Sequence, residues 1–242
     1  MTLPPLLVLA GGKGTRLRSV VNDRPKILAL IDQRPFIDHL LDWCVAHNLQ
    51  RIHFCLGYKA DQVINWLAQC QYSLTITWHV EVEQNGTALA IQQGLKEISS
   101  ESENGALICN GDTFIEFDVQ RFVKQSQMIG GGILTTQVDD CGRYGAVQKD
   151  EHNLLRAFNE KSAQRSVGEI NAGWYYLGKL HIEQLQQQQI SSFEKEYLAV
   201  VRMPSIKCIN IGTNFLDFGT PASYQQAQKY FGYNNDNNKN PL

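Results

Sequence analysis

Residues 6–17 read LLVLAGGKGTRL, and this stretch decides the fold. Leu6 to Ala10 form an apolar run without polar alternation, which suits a short strand covered on both faces. Three glycines follow, Gly11, Gly12 and Gly14, with Lys13 and Arg16 among them. Glycine lets backbone N–H groups approach an anion with no Cβ in the way. In open α/β sheets, ligands bind outside the carboxyl ends of the strands, which is where this loop falls. The expectation is an α/β sheet with an anion-binding loop after its first strand.

Two familiar phosphate loops do not fit. The dinucleotide pattern G-x-G-x-x-G, begun at Gly12, needs glycine where Leu17 stands. The Gly-Lys-Ser/Thr ending of the other is missing. A near match from Gly173 to Lys179 carries Leu180 in place of the hydroxyl, and its WYYL interior reads as strand.

Outward from the loop, Phe36, Ile37, Leu40, Leu41 and Cys44 recur at helical spacing and predict a helix over 36–46. Strands are expected at 51–57, 74–82 and 106–110, with helices at 60–68 and 87–98. Strand and helix in alternation predict a parallel sheet with helices on both faces. After Asp112 the rhythm changes to strands at 132–138, 145–148, 154–158 and 169–177, with few helices between them. Helices at 179–188 and 192–201 and strands at 207–211 and 214–218 follow. Thr220-Pro221 opens the last helix, with Thr as N-cap and Pro in the first turn. The run Gln186 to Gln189 reads as a polar helix end, and 233–242, YNNDNNKNPL, as a frayed tail.

Charge narrows the ligand. The net charge of −2 argues against a general nucleic-acid binder, which needs a basic face. Yet Lys13, Arg16, Arg18, Arg24 and Lys26 crowd one window with Asp23 alone against them, which suits a small phosphorylated ligand. No apolar run reaches the roughly 20 residues of a membrane span. The first residues lack a basic n-region, so a cytoplasmic protein is expected. None of the six cysteines shows C-x-x-C spacing, so free thiols in a reducing compartment are expected rather than a zinc site. The six histidines show no ligand spacing with acidic partners, the tryptophans suit core or pocket walls, and no local motif suggests a Ser-His-Asp arrangement.

A family resemblance covers almost the whole chain. LAGGKGTRL at 9–17, followed by Arg24-Pro25-Lys26, resembles the signature of sugar-1-phosphate nucleotidyltransferases. NGDTF at 110–114 looks like the family's metal-binding turn and FLDFGTP at 215–221 like its second metal segment. RYGAV at 143–147, FNEK at 158–161 and NAGWYYL at 171–177 look like its sugar-site segments. The resemblance implies one Rossmann-like domain over 1–232, with a mixed, mainly parallel central sheet flanked by helices. Residues 1–115 would form its nucleotide-binding half and 116–232 its sugar-binding half. A homo-oligomer is compatible with this reading.

The implied reaction joins a nucleoside triphosphate to a sugar 1-phosphate and releases pyrophosphate. Two anions must approach while charge builds on the leaving group, so catalysis is positioning and charge neutralisation. The resemblance makes Arg16, Lys26, Asp112 and Asp217 catalytic, with Asp112 and Asp217 as magnesium ligands. Arg16 and the Gly11–Gly14 amides would hold the departing phosphates, and Lys26 would bridge the α-phosphate and the incoming phosphate. The nucleotide would be held by Leu9, Ala10, Gly11, Gly12, Gly14, Thr15, Arg16, Glu83, Gly86, Thr87, Asn110 and Gly111. Tyr144, Gly145, Glu160, Lys161, Asn171 and Gly173 would hold the sugar phosphate.

One segment departs from the family pattern. Where Pro-Leu-Gly-Thr is usual, the chain has Gln84-Asn85-Gly86-Thr87, so Gly86-Thr87 survive to face the base. SFEKEYL at 192–198 and FLDFGTP look most like the branch that transfers a guanylyl group to D-glycero-α-D-manno-heptose 1-phosphate for surface glycans. Mannose and glucose 1-phosphate enzymes share most of these motifs. A glycosyltransferase would show Asp-x-Asp, whereas Thr113-Phe114 follow Asp112. A non-catalytic nucleotide-sugar sensor would have lost Lys26 or an aspartate.

Overall fold

A computed structural model of the protein describes residues 2–83, 86–102, 104–159, 166–201 and 203–239, with the backbone alone at 143 and 233–239. The first half runs β1 (Leu6–Ala10), β2 (Leu30–Ile31), β3 (Arg34–Pro35), α1 (Phe36–Ala46), β4 (Arg51–Leu56), α2 (Ala60–Leu67), β5 (Thr75–Val80), α3 (Thr87–Glu97) and β6 (Ala106–Asn110). The second adds β7 (Thr113–Glu116), α4 (Val119–Gln127), β8 (Gly131–Val138), β9 (Ala146–Lys149), β10 (Leu155–Asn159), β11 (Gly168–Leu177), α5 (Lys179–Gln186), β12 (Lys207–Ile209), β13 (Thr213–Asp217) and α6 (Pro221–Lys239).

Among the described residues, nine strands join one mixed sheet. It is parallel through β5-β4-β1-β6, with Leu6 opposite both Ile52 and Leu107. It turns antiparallel at β11, which pairs β6, β8 and β9. The uninterrupted apolar run of β1 has its reason here: Leu6 and Val8 join the core on one face and Leu7 the core on the other, all fully buried. Trp174 and Tyr175 on β11 divide between the same two cores. Each face is closed by helices, so the α/β class and the mixed sheet stand as expected.

Several details differ from the pattern reading. Helix α4 was missed because few of its residues are apolar. Val119, Phe122 and Val123 suffice to bury one face, and Asp118 caps the helix by accepting from Arg121 N–H at 2.9 Å. Strands β7 and β13 form a separate two-stranded sheet. The helix expected over 192–201 contracts to a π-helical turn, Phe193–Leu198. The last helix starts as expected, with Ser223 N–H donating to Thr220 Oγ1 at 3.3 Å, but continues to Lys239, through most of the segment read as a tail.

Two locks position the ligand-binding end. Asp32 and Gln33 both have positive φ, the geometry of a type I′ turn, and join β2 to β3. Helix α6 grips this hairpin: Gln228 Oε1 accepts from Asp32 N–H at 2.7 Å and its amide donates to Leu30 O at 2.5 Å. On the other side, the Gln92 amide of α3 donates to Leu185 O at 2.6 Å and Gln188 O at 2.9 Å. The glutamine run thus caps α5 against α3. The six cysteines are free thiols, and burial pushes that of Cys208 up to about 12. Among the described residues no helix is long and apolar enough to cross a membrane.

Candidate active site

The glycine loop leaves β1 and folds back at Gly14. This residue has φ of +60° and precedes the tight turn Thr15–Leu17, in which Leu17 is fully buried. A Cβ at Gly14 would stand 2.8 Å from Lys26 Cγ, so glycine here serves both the left-handed backbone and the passage of the lysine. Lys26 begins the short turn Lys26–Leu28, anchored by buried Ile27 and Leu28. Its Nζ donates to Asp112 Oδ2 at 2.7 Å.

Asp112 lies in the tight connection between β6 and β7. Gly111 N–H donates to Leu9 O at 2.9 Å, which ties that connection to the end of β1. Asp217 ends β13, where it pairs with Thr113, and its Oδ1 accepts from Gly219 N–H at 2.7 Å. Phe218 N–H donates to Asp112 O at 3.3 Å, so the two aspartates come from adjoining backbones.

Two adjoining cavities meet at this point. The first, ≈ 330 Å³, is lined by Leu9, Ala10, Gly11, Gly12, Lys26, Ile27, Glu81, Gly86, Thr87, Ala90, Asn110, Gly111, Asp112 and Glu194. The second, ≈ 230 Å³, is lined by Arg16, Asn110, Asp112, Thr113, Tyr144, Gly145, Phe158, Asn171, Gly173, Glu194, Phe215 and Asp217. Asn110, Asp112 and Glu194 belong to both. Tyr144 and Phe215 meet edge to face at 5.5 Å and form an aromatic wall of the second cavity. Gly173, with φ of +76°, brings β11 against Asn110, whose Nδ2 would be 2.8 Å from a Cβ there. Asn171 Oδ1 accepts from Gly173 N–H at 2.8 Å, and its Nδ2 donates to Tyr175 Oη at 2.7 Å.

Most residues expected to bind ligand converge here, with four departures. Arg16, on the turn that follows the left-handed Gly14, lines the second cavity and not the first. Thr15 is exposed, and Gly14 backs Lys26 without lining either cavity. Glu83 is exposed where the chain bends after β5, and Glu81 lines the first cavity instead. Glu160 and Lys161 lie outside the described residues. Arg24 of the basic window pairs with its neighbour Asp23 at 2.6 Å.

Glu81 and Glu194 were both missed. Glu81 directly follows β5, its N–H donates to Leu56 O at 2.8 Å, and its carboxylate lies against Gly11. Burial raises its carboxyl above the usual range. Glu194 reaches the site from the Phe193–Leu198 turn. Thr87 Oγ1 donates to its Oε2 at 2.7 Å and accepts from Phe193 N–H at 2.9 Å. The alternation in 74–82 was a signal for Glu81; nothing local marks Glu194, whose partner is 107 positions away.

The glycine loop at the end of a parallel strand and the lysine–aspartate pair between two cavities suit phosphorylated ligands. The chain belongs to the nucleotidyl transferase family, whose model matches residues 6–232. It is 29% identical over 218 residues to the D-glycero-alpha-D-manno-heptose 1-phosphate guanylyltransferase of Campylobacter jejuni, covering 90% of this chain and 96% of the relative. The enzyme of the same name from Aneurinibacillus thermoaerophilus is 28% identical over 227 residues, 92% and 96% covered. The crystal structure of HddC from Yersinia pseudotuberculosis complexed with GMP-PN superimposes with a TM-score of 0.83 at 29% identity, covering 95% of this chain and all of that one.

Proposed function

We propose that the protein transfers a guanylyl group from GTP to D-glycero-α-D-manno-heptose 1-phosphate, releasing pyrophosphate and making GDP-heptose for bacterial surface glycans. The observation that carries this reading is the meeting of the two cavities at Lys26 and Asp112. A nucleotide in the first cavity and a sugar 1-phosphate in the second bring the attacking phosphate oxygen to the α-phosphorus at that junction. Lys26 then neutralises charge on both reacting phosphates, and Arg16 holds phosphate from the second cavity. A lysine already held at this junction by Asp112 needs little rearrangement as charge shifts onto the leaving pyrophosphate.

Glu81 supports guanine. Guanine offers adjacent N1–H and N2–H donors, and a carboxylate accepts both at once. Adenine, cytosine, uracil and thymine present no such pair beside each other on that edge, so they leave the carboxylate unpaired, a costly outcome in a half-buried site. Heptose is supported by the two relatives named for that substrate, which match this chain over nine-tenths of its length.

Asp112 and Asp217 fit magnesium, which takes one or two carboxylates and completes its shell with substrate phosphates. When bound, the ion adds positive charge where two phosphates must approach. Phosphorylated substrates of this size call for neither a membrane nor a nucleic-acid partner, and the reading carries a cytoplasmic enzyme.

Pyrophosphate release with magnesium tests the proposal, across GTP, ATP, CTP, UTP and dTTP against heptose, mannose and glucose 1-phosphates. Release confined to GTP with heptose 1-phosphate is expected. Release with another pair overturns the substrates and keeps the reaction; silence across the grid overturns the reaction.

A further inference from the structure

Glu194 is a carboxylate in a cleft built for phosphates, and among the described residues no cation pairs with it. A bare negative charge there repels both substrates unless it serves a donor they carry. The segment that presents it is held on all sides. Glu196 accepts from Ser191 N–H, Ser191 Oγ and Ser192 N–H at 2.7–2.8 Å, and Ser192 Oγ accepts from Lys195 N–H at 3.1 Å. Phe193 and Tyr197 are fully buried beside it. Single π-helical turns often mark functional sites, because they turn a side chain out of register.

The two oxygens of Glu194 are used unequally. Oε2 is taken by Thr87, on the nucleotide side, at 2.7 Å. Oε1 has one long contact, 3.5 Å from the Tyr175 hydroxyl, on the side of Asn171 and the second cavity. A carboxylate has about four acceptor positions, so Oε1 retains capacity for a donor entering that cavity. The donors a sugar phosphate brings are its hydroxyls, on the ring and, in a heptose, on the side chain as well.

We infer that Glu194 accepts a hydroxyl of the sugar 1-phosphate through Oε1, and so selects the sugar while Thr87 and Tyr175 hold the carboxylate in place. This rests on the reading that the second cavity takes a sugar phosphate. The hydrogen-bonded series Thr87–Glu194–Tyr175–Asn171 then joins the amino end of α3, on the nucleotide side, to the sugar site.

A cycle that deletes each partner tests it. Wild type and Glu194→Gln are assayed with the sugar 1-phosphate, with analogues lacking one hydroxyl at a time on the ring or the side chain, and with 2′-deoxyGTP as the control for ribose. Glutamine keeps the shape and can still accept from Thr87, and Glu194→Ala is followed in parallel with its melting temperature. For wild type, one deoxy analogue is expected to raise KM about 10- to 100-fold, the range for a hydrogen bond to a charged group. Glu194→Gln should show a similar rise in KM for the intact sugar, an unchanged KM for GTP, and indifference to that same deletion. Effects that simply add for every sugar analogue overturn the inference. Coupling to 2′-deoxyGTP alone overturns it in favour of the ribose. Wild type that releases no pyrophosphate with any sugar 1-phosphate removes the functional reading, and this inference with it.

Discussion

Lys26 Nζ and Asp112 Oδ2 lie 2.7 Å apart, although 86 positions separate them in the chain. The pair is partly buried, with the Lys26 side chain 16% exposed and that of Asp112 33%, and stands where the two cavities meet. In a free enzyme each group thus neutralises the other. On the proposed reading, entering phosphates would let the lysine exchange one anion for another, so that its charge is available without desolvating it afresh.

Replacing Lys26 with Met should therefore separate catalysis from folding. Loss of a charge aimed at the transition state typically costs 10²- to 10³-fold in kcat, and about that is expected. Stability should fall by about 1–3 kcal/mol, the cost of leaving a partly buried carboxylate without its partner. Steady-state pyrophosphate release and thermal melting of the same preparation check both. Asp112→Asn should match the kcat loss and also raise the magnesium concentration needed for half-maximal rate.

Glu81→Gln tests the base. Wild type should prefer GTP to ITP, which lacks the N2 amine, by about 10-fold or more. The glutamine variant should bring the two within a few-fold by losing GTP. Equal use of GTP and ITP by wild type would sink the assignment. Because burial raises the Glu81 carboxyl, its charged form disappears at a higher pH than that of an ordinary glutamate. The KM for GTP should therefore climb as pH falls through that raised value.

Gly14→Ala meets two obstacles, a left-handed φ and the Lys26 side chain. The backbone cost is about 1–2 kcal/mol. Displacement of Lys26 should lower kcat by at least about 10-fold, with substrate KM values changing less. A variant with normal kcat would show that Lys26 tolerates the shift.

Acid should weaken the fold through buried histidines. His53 Nε2 and His79 Nδ1 share a hydrogen bond of 2.9 Å, and His53 Nδ1 meets Thr77 Oγ1 at 2.8 Å. Burial lowers the pKa of His39, His79 and His181, and that of His53 to about 4. Their unfolded value is near 6.5, so between about pH 6.5 and 4 the unfolded chain binds more protons. Stability is full above that window and falls as pH drops through it. Melting temperature at pH 7.5, 6, 5 and 4.5 should decline steadily, and His53→Gln should flatten the decline.

Much of the candidate site is visible as motifs, because its backbone parts are local. The Gly11–Gly12 loop, the Asn110–Asp112 turn and the Asn171–Gly173 segment each carry their geometry in three or four consecutive residues. Side-chain direction was less legible. Glu81 and Glu83 are both acidic and two residues apart, and the bend after β5 sets one into the first cavity and leaves the other exposed. The motif associates Arg16 with the nucleotide phosphates, whereas in the fold its side chain lines the other cavity. Helix α4 shows the same limit in the fold: its short apolar stripe is too sparse to read until β8 is there to pack against.

The sequence alone determined the class of the molecule. Apolar runs, helical spacing and a glycine loop are short-range patterns, and they report which segments become strands, which become helices and where an anion binds. Tertiary structure decided which charges meet. Lys26 with Asp112 and Thr87 with Glu194 are joined across 86 and 107 positions. Only chain folding brings such groups within hydrogen-bond distance, because hydrogen bonds and desolvation act over a few ångströms while sequence patterns extend over a few residues.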